Sequence, residues 1–431
     1  MNLEPKKILI ITYYWPPAGG PGVQRWLKFV KYLPDFGIQP IVYVPENPTY
    51  PIVDEKLVKE VSDKAIILKH TIFEPYQLAS LFSKNKTKKI SSGIIPNQKK
   101  QSFLDKTFLW IRGNLFIPDA RVFCVKPSVA FLEKYIVENT IDTIVTSGPP
   151  HSLHLIGLEL KQKLNLKWFA DFRDPWTTIG YHKSLRLSRF AAKKHKALER
   201  QVLNTADTII VTSKTTKTEF EAITSKPISV ITNGYDTEEV GKQTLDLKFS
   251  LAHIGSFLSE RNPLILWESL VELITEIPDF KSHLEIKLIG AVSQEVLETI
   301  QQFGLNVYLN NLGYVSHVEA IAHQRKSQVL ILIEINSADT KSIIPGKLFE
   351  YMVSNRPIIA IGPKDSDFAE TITNTNTGVF FDYSEKLKLK RVILGFYNQF
   401  LEGKLQSNGV GLQNYSRRNL TKNLVELLNK M

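Results

Sequence analysis

Short apolar runs alternate with amphipathic stretches along this chain, and the whole pattern occurs twice. Lys7 to Tyr13 is an apolar run of strand length. Gly22 to Phe36 follows, with Val23, Trp26, Leu27, Val30 and Leu33 at helical spacing. Strand-like runs recur at Pro40–Val44, Thr143–Thr146, Lys167–Ala170, Thr208–Val211 and Ile228–Ile231. The pattern restarts at Leu251–Gly255 and runs through Leu284–Ile289, Asn306–Leu309, Gln328–Ile333, Pro357–Ile361 and Gly378–Phe381. Apolar strands separated by helices build a parallel sheet covered on both faces. The expected fold class is therefore α/β, with two doubly wound, Rossmann-like domains in series. Polar Asn233–Leu247 separates the halves and reads as the linker. The expected organisation is a first domain over residues 1–235, a second over 248–405, and a last helix within 412–431 that returns to the first domain. The alternation breaks at about 73–121, which reads as an insertion.

Composition narrows the class. A chain that is 43% hydrophobic and 23% charged is an ordinary soluble globular protein. The single cysteine, Cys124, excludes an intramolecular disulfide and a cysteine-based metal cage, in keeping with a reducing cytoplasm. Met1 to Lys7 is polar, so no secretory signal is expected. The longest apolar runs, such as Val329–Ile333, are far short of the ~18 residues of a spanning helix. The net charge of +11 is concentrated: Lys84–Lys106 holds seven lysines against Asp105, and Lys183–Arg200 holds seven Lys or Arg against Glu199. Such clusters imply an anionic partner surface. The first has Phe82, Phe103, Phe108 and Trp110 for neighbours, and basic residues mixed with bulky apolar ones suit a membrane interface better than nucleic acid. A solvated Lys-rich face is the plainer alternative.

Ligands of doubly wound sheets bind outside the carboxyl ends of the strands, so the turns there hold the candidate residues. After the first strand come Gly19-Gly20-Pro21-Gly22-Val23-Gln24-Arg25. Gly20 and Gly22 let backbone approach a ligand, but Arg25 stands where a dinucleotide fingerprint needs its third glycine. Ser147-Gly148-Pro149-Pro150-His151 places His151 at the opening of a helix, where it can position a hydroxyl or move a proton. Asp171-Phe172-Arg173-Asp174-Pro175-Trp176 gathers two carboxylates, a guanidinium and an indole. Such groups suit a carbohydrate, and Asp171 or Asp174 could act as a base. An Arg–Asp pair that fixes a loop is the alternative.

In the second half, Ser256 and Arg261 follow the opening strand and can reach phosphate oxygens. Gly290 ends the next strand. Pro345-Gly346-Lys347-Leu348-Phe349-Glu350-Tyr351 reads as a turn into a helix. The helix N-terminus and Lys347 suit a diphosphate, and Glu350, on the same helix face, suits a pair of ribose hydroxyls; an ordinary αβ unit whose Lys and Glu face water is the alternative. A Walker A loop is excluded, because Leu348 follows Gly346-Lys347 where Ser or Thr is required. Asp365-Ser366-Asp367 has the spacing of a metal-binding acid pair but reads as a helix cap, and no metal is expected.

Taken together, the loop Gly19–Arg25, the stretch Asp171–Trp176, Asn233-Gly234-Tyr235-Asp236 and Pro345–Tyr351 resemble the GT-B glycosyltransferases, particularly bacterial members like glycosyltransferase family 4. The resemblance covers essentially the whole chain. It implies two Rossmann-like domains facing across a cleft, a nucleotide-sugar donor on the second and an acceptor on the first. It implies that Glu350 binds the donor ribose and that Arg261 and Lys347 hold the diphosphate as leaving group. Gly20 and Gly22 would approach that diphosphate, and His151 would lie near the transferred sugar. No metal or other cofactor is implied, and retention of configuration is the family default. The expected activity is transfer of a hexosyl or N-acetylhexosaminyl group to a lipid-linked or polysaccharide acceptor, by a cytoplasmic protein peripheral to the inner membrane face. One departure is plain: many retaining members carry Glu eight residues before the ribose Glu, and Ser342 stands there. A non-hydrolysing sugar-nucleotide epimerase of the same architecture, or a catalytically silent carbohydrate- or partner-binding protein, are the competing readings.

Overall fold

The computed structural model describes residues 5–74, 103–183, 185–236, 241 and 243–430. Most of the basic stretch Lys84–Lys106 lies outside the described residues. The chain forms two compact units, one of residues 1–232 with 417–431, the other of residues 233–416.

The first unit holds seven strands: β1 (Lys6–Ile11), β2 (Ile38–Pro45), β3 (Ile66–His70), β4 (Thr143–Gly148), β5 (Lys167–Phe172), β6 (Thr208–Val211) and β7 (Ile228–Val230). They lie in the order β3-β2-β1-β4-β5-β6-β7, every pair parallel. Strand β3 escaped the sequence reading. It is an edge strand whose Ile66 and Lys69 are exposed, and its apolar run, Ala65–Leu68, stops at Lys69 after four residues. The sheet is buried on both faces. Leu9, Ile11, Ile144, Trp168 and Ala170 pack into one core, and Ile8, Ile10, Val42, Val145 and Phe169 into another.

Helix Pro21–Tyr32 packs Val23, Trp26, Leu27 and Val30 into the second of these cores. It ends where Pro34 cannot continue it, and Leu33–Phe36 tightens into a 3₁₀ turn. The last helix, Arg417–Asn429, belongs to the same core through Leu420, Leu424, Val425 and Leu428. Lys6 Nζ donates to the carbonyl of Leu428 at 3.0 Å, and Arg418 pairs with Asp35 at 3.3 Å. Each fully buried aliphatic side chain contributes roughly 1.5–3 kcal/mol, so the apolar stripe holds this helix and the exposed ion pair adds little.

The second unit holds six strands: β8 (Phe249–Ile254), β9 (Leu284–Ile289), β10 (Leu309–Gly313), β11 (Val329–Ile333), β12 (Ile358–Ile361) and β13 (Gly378–Phe381). Their order is β10-β9-β8-β11-β12-β13, again all parallel. The sequence places β10 at Asn306–Leu309, three residues early. Asn306–Tyr308 is a 3₁₀ turn behind the buried Leu305, and pairing with β9 starts only at Leu309. Among the described residues, no helix is long and apolar enough to cross a membrane.

Candidate functional site

In the second unit three neighbouring strands end in glycine with positive φ: Gly255 after β8, Gly290 after β9 and Gly313 closing β10. At Gly290 an added Cβ would sit 2.5 Å from the carbonyl oxygen of Gly255. Glycine alone therefore allows these two turns to stack. Lys347 begins helix Lys347–Met352 after the turn at Pro345-Gly346, where Leu348 N–H donates to Pro345 O at 2.9 Å. The helix has only six residues, so the helix-terminus contribution expected from the sequence is small, and positive charge here comes from side chains.

Lys347 Nζ lies 3.1 Å from Nε2 of His253, a buried residue of β8. His253 Nδ1 is 3.1 Å from the carbonyl of Ile331. Both ring nitrogens lie near a carbonyl, Nδ1 by Ile331 and Nε2 by Ser256 at 3.3 Å, but only Nε2 also faces an ammonium, so a neutral ring with its proton on Nδ1 lets Nε2 accept from Lys347. Burial, and then the charge of Lys347, push the His253 pKa well below its usual value. Lys347 is itself pushed down to about 7, first by burial and then by the charge of Arg261, with Glu334 and Glu350 opposing.

Arg261 ends the turn Ser259–Arg261 and gives Nε and Nη2 to Glu334 at 3.1–3.3 Å. Glu334 is 1% exposed and also accepts the N–H of Ile335 at 2.8 Å. One edge of the Arg261 guanidinium is thus fixed by the protein. Glu350 accepts from Gln324 Nε2 at 2.9 Å, and His317 Nε2 stands 3.7 Å away. Ser256 is exposed beside this group, its carbonyl 3.3 Å from His253 Nε2. Glu334 does not replace the carboxylate missing at Ser342, because it is buried and occupied by Arg261. Sequence reasoning missed His253, Gln324 and Glu334. A histidine inside an apolar strand, and an acid directly after one, were the available signals.

In the first unit the aspartate of β5 takes a role other than that of a free base. Asp171 is fully buried and receives Arg25 through Nε and Nη2 at 2.8–3.2 Å, Trp26 Nε1 at 2.7 Å and Ser147 Oγ at 2.9 Å. Burial alone would raise its pKa, but the Arg25 charge and these hydrogen bonds outweigh burial and hold it below the usual value. With both oxygens occupied, Asp171 locks helix Pro21–Tyr32 onto the sheet and is corrected from base to structural anchor. Arg173 is likewise committed. It donates to the carbonyls of Gly148, Gly22 and Pro149, tying together the loops after β1 and β4. At Gly22 the space a Cβ would occupy is already filled by Arg173 Nη1, at 2.6 Å. The room at Gly22 thus serves this clamp. Gly20, at φ 90°, is the residue before the helix.

His151 and Asp174 differ. They line a cavity of about 360 Å³ with Tyr14, Trp176 and His182 among others. His151 is 5% exposed, lies flat on Trp176 at 4.8 Å, and has no hydrogen-bond partner on either ring nitrogen. His182 Nε2 is also unpaired. Burial, then neighbouring histidines and Arg173, keep His151 well below its usual pKa, and burial brings His182 down to about 4. Burial raises Asp174, with Arg173 opposing. Buried polar atoms without partners are costly, so these nitrogens are available to a polar group that enters the cavity. Among the described residues, no group of three His, Cys, Asp or Glu could hold a metal ion.

The family described as Glycosyltransferase Family 4 matches residues 102–239. No curated protein matches the sequence. Similar solved structures span the whole chain. Sucrose-phosphate synthase from Thermosynechococcus elongatus is 12% identical with a TM-score of 0.61, covering 99% of this chain and 98% of its own. A glycosyltransferase from Rickettsia africae is 16% identical with a TM-score of 0.58, covering 100% of both. A mutant of TarM from S. aureus, in complex with fondaparinux, alpha-GlcNAc-glycerol and UDP, is 12% identical with a TM-score of 0.57, covering 99% of this chain and 100% of its own. With its two parallel-sheet units, the chain has the GT-B fold and is similar to glycosyltransferases of family 4.

Proposed function

We propose that the protein is a glycosyltransferase that moves a hexosyl or N-acetylhexosaminyl group from a nucleoside-diphosphate sugar to a lipid-linked or polysaccharide acceptor, with retention of configuration. One observation carries this reading: Lys347 and Glu350 sit one turn apart beside Arg261, so cations and a carboxylate share one end of the second sheet. The cations match a diphosphate and the carboxylate matches a ribose diol. As the sugar leaves, charge grows on the diphosphate, and fixed cations stabilise it without reorganising. In this reading Ser256 and the turns at Gly290 and Pro345-Gly346 line the donor, and the diphosphate needs no metal. The unpaired nitrogens of His151 and the carboxylate of Asp174 face sugar hydroxyls.

The test is a thermal-shift screen with UDP, GDP, ADP, dTDP, CMP and their sugars. A ligand at ~100 times its dissociation constant stabilises by about 2.7 kcal/mol. One diphosphate should shift the wild type and fail to shift Glu350→Ala. No shift with any of them sinks the donor assignment. Donor binding without turnover against any acceptor pool would favour a silent binding protein, a reading that Ser342 supports by leaving the sugar ring one carboxylate short.

We place the acceptor step at the cytoplasmic face of a membrane. Asn114 accepts from Ser188 N–H at 2.7 Å and donates to the carbonyl of Arg186 at 3.3 Å. Exposed Trp110 and Leu115 thereby lie next to exposed Arg186, Arg189 and Phe190, followed by Lys193 and Lys194. Aromatic and basic side chains on one surface suit anionic headgroups. Neutralising Arg189, Lys193 and Lys194 together should cost about 1 kcal/mol each, or about a hundred-fold in partitioning to phosphatidylserine vesicles. Equal sedimentation of wild type and triple variant would remove the membrane from the reading.

A further inference from the structure

Gln324 is 2% exposed on helix His317–Lys326 and gives Nε2–H to Glu350 Oε2 at 2.9 Å. A reciprocal capping box between Ser316 and Glu319 anchors the start of that helix, which sets where its later residues fall. Glu350 stands on a different element, helix Lys347–Met352, and is about a third exposed. A buried primary amide is costly unless bonded, so the contact restrains both partners.

We propose that Gln324 is a positioning residue that aims the Glu350 carboxylate at the donor ribose, an inference that rests on the donor assignment above. An amide suits this task. It satisfies one lone pair of Oε2 and fixes the rotamer, yet it brings no charge. A lysine or arginine in its place would neutralise the carboxylate that two hydroxyls must address. Oε1 stays available, because His317 Nε2, at 3.7 Å, is beyond hydrogen-bond distance. The charged or titratable groups around Glu350 are His317, from the same helix as Gln324, and Lys347 and Tyr351, from its own helix. None of them duplicates the neutral donor.

The experiment compares wild type, Gln324→Leu and Gln324→Glu by calorimetric titration with two probes. One is the nucleoside diphosphate selected by the screen, and the other is inorganic pyrophosphate, which has no ribose. A hydrogen bond to a charged group corresponds to about ten-fold or more in affinity. Gln324→Leu should lose that factor for the nucleoside diphosphate and keep wild-type affinity for pyrophosphate. Gln324→Glu, of nearly unchanged volume, should bind more weakly than wild type at pH 8, where two carboxylates repel, and close that gap to wild type towards pH 5.5, where they share a proton. A merely structural role would not produce this recovery. Nucleoside diphosphate affinity within two-fold of wild type in Gln324→Leu, or equal losses for both probes, overturns the role of Gln324. A wild type that binds pyrophosphate but no nucleoside diphosphate overturns the ribose assignment of Glu350 along with it.

Discussion

Arg25→Ala should lower the unfolding free energy of the first unit by about 3–5 kcal/mol, the usual cost of leaving one member of a buried ion pair alone. Arg25 is 1% exposed and Asp171 is fully buried. Removing the guanidinium leaves Asp171 with Trp26 and Ser147 only, and also frees the carbonyl of Thr232, which Arg25 Nη1 holds at 2.9 Å. Urea unfolding followed by tryptophan fluorescence reads the loss, because Trp26 donates to the same carboxylate. The double variant Arg25→Ala with Asp171→Asn should recover part of it, since the uncompensated charge is gone. A single variant within 1 kcal/mol of wild type would show that water reaches the site and that the clamp is weak. Acid should act in the same direction. The folded-state pKa of Asp171 is depressed, so its contribution is present above its unfolded pKa and is lost as pH falls through the folded value.

Donor affinity should fall with rising pH above about 7, where Lys347 loses its proton in the free protein. Below that pH the ammonium is already formed and affinity is level. Above it, binding a diphosphate must first take up a proton, which costs up to about ten-fold per pH unit. A nucleotide sugar is the right probe, because its diphosphate carries no group that titrates near neutrality. Titration at pH 8 in two buffers of different ionisation enthalpy should show uptake of close to one proton. Lys347→Arg should flatten the profile, since a guanidinium stays charged throughout, and Lys347→Met should bind weakly at every pH. A wild-type profile that is flat from pH 6 to 9 would separate Lys347 from the diphosphate. Stability of the free protein moves the opposite way. The folded pKa is about 7 against 10.5 for an exposed lysine, so the unfolded chain holds the extra proton across that window and stability rises with pH there.

Much of the architecture was legible in the residues. The alternation of apolar runs with helical stretches marked eleven of the thirteen strands in place and set β10 three residues early, because a strand covered on both faces is largely apolar. The exceptions, β3 and β10, sit at sheet edges, where partial exposure shortens the apolar run or admits polar residues. Pro345-Gly346-Lys347 and Glu350 were legible as a group because they are local: one turn and one short helix bring them together. Gly20, Gly255 and Gly290 were legible as turns, since they follow strand-length runs.

Which partner each polar residue takes was not legible, and there tertiary structure decided the chemistry. Asp171 and Asp174 stand three positions apart in one loop and read alike in sequence. Asp171, at the end of a central strand, meets Arg25 from 146 residues away and becomes an anchor. Asp174 passes beyond the sheet into the wall of a cavity and keeps its carboxylate available. His253 meets Lys347 from 94 residues away in sequence, and Gln324 meets Glu350 from 26, each within hydrogen-bond distance only because of the packing. Hydrophobic periodicity is a property of neighbours along the chain, so the sequence alone determined the two parallel sheets. A buried charge finds its partner through whichever strand order the sheet adopts, so the roles of Arg25, Arg173, Lys347 and Glu350 belong to the fold.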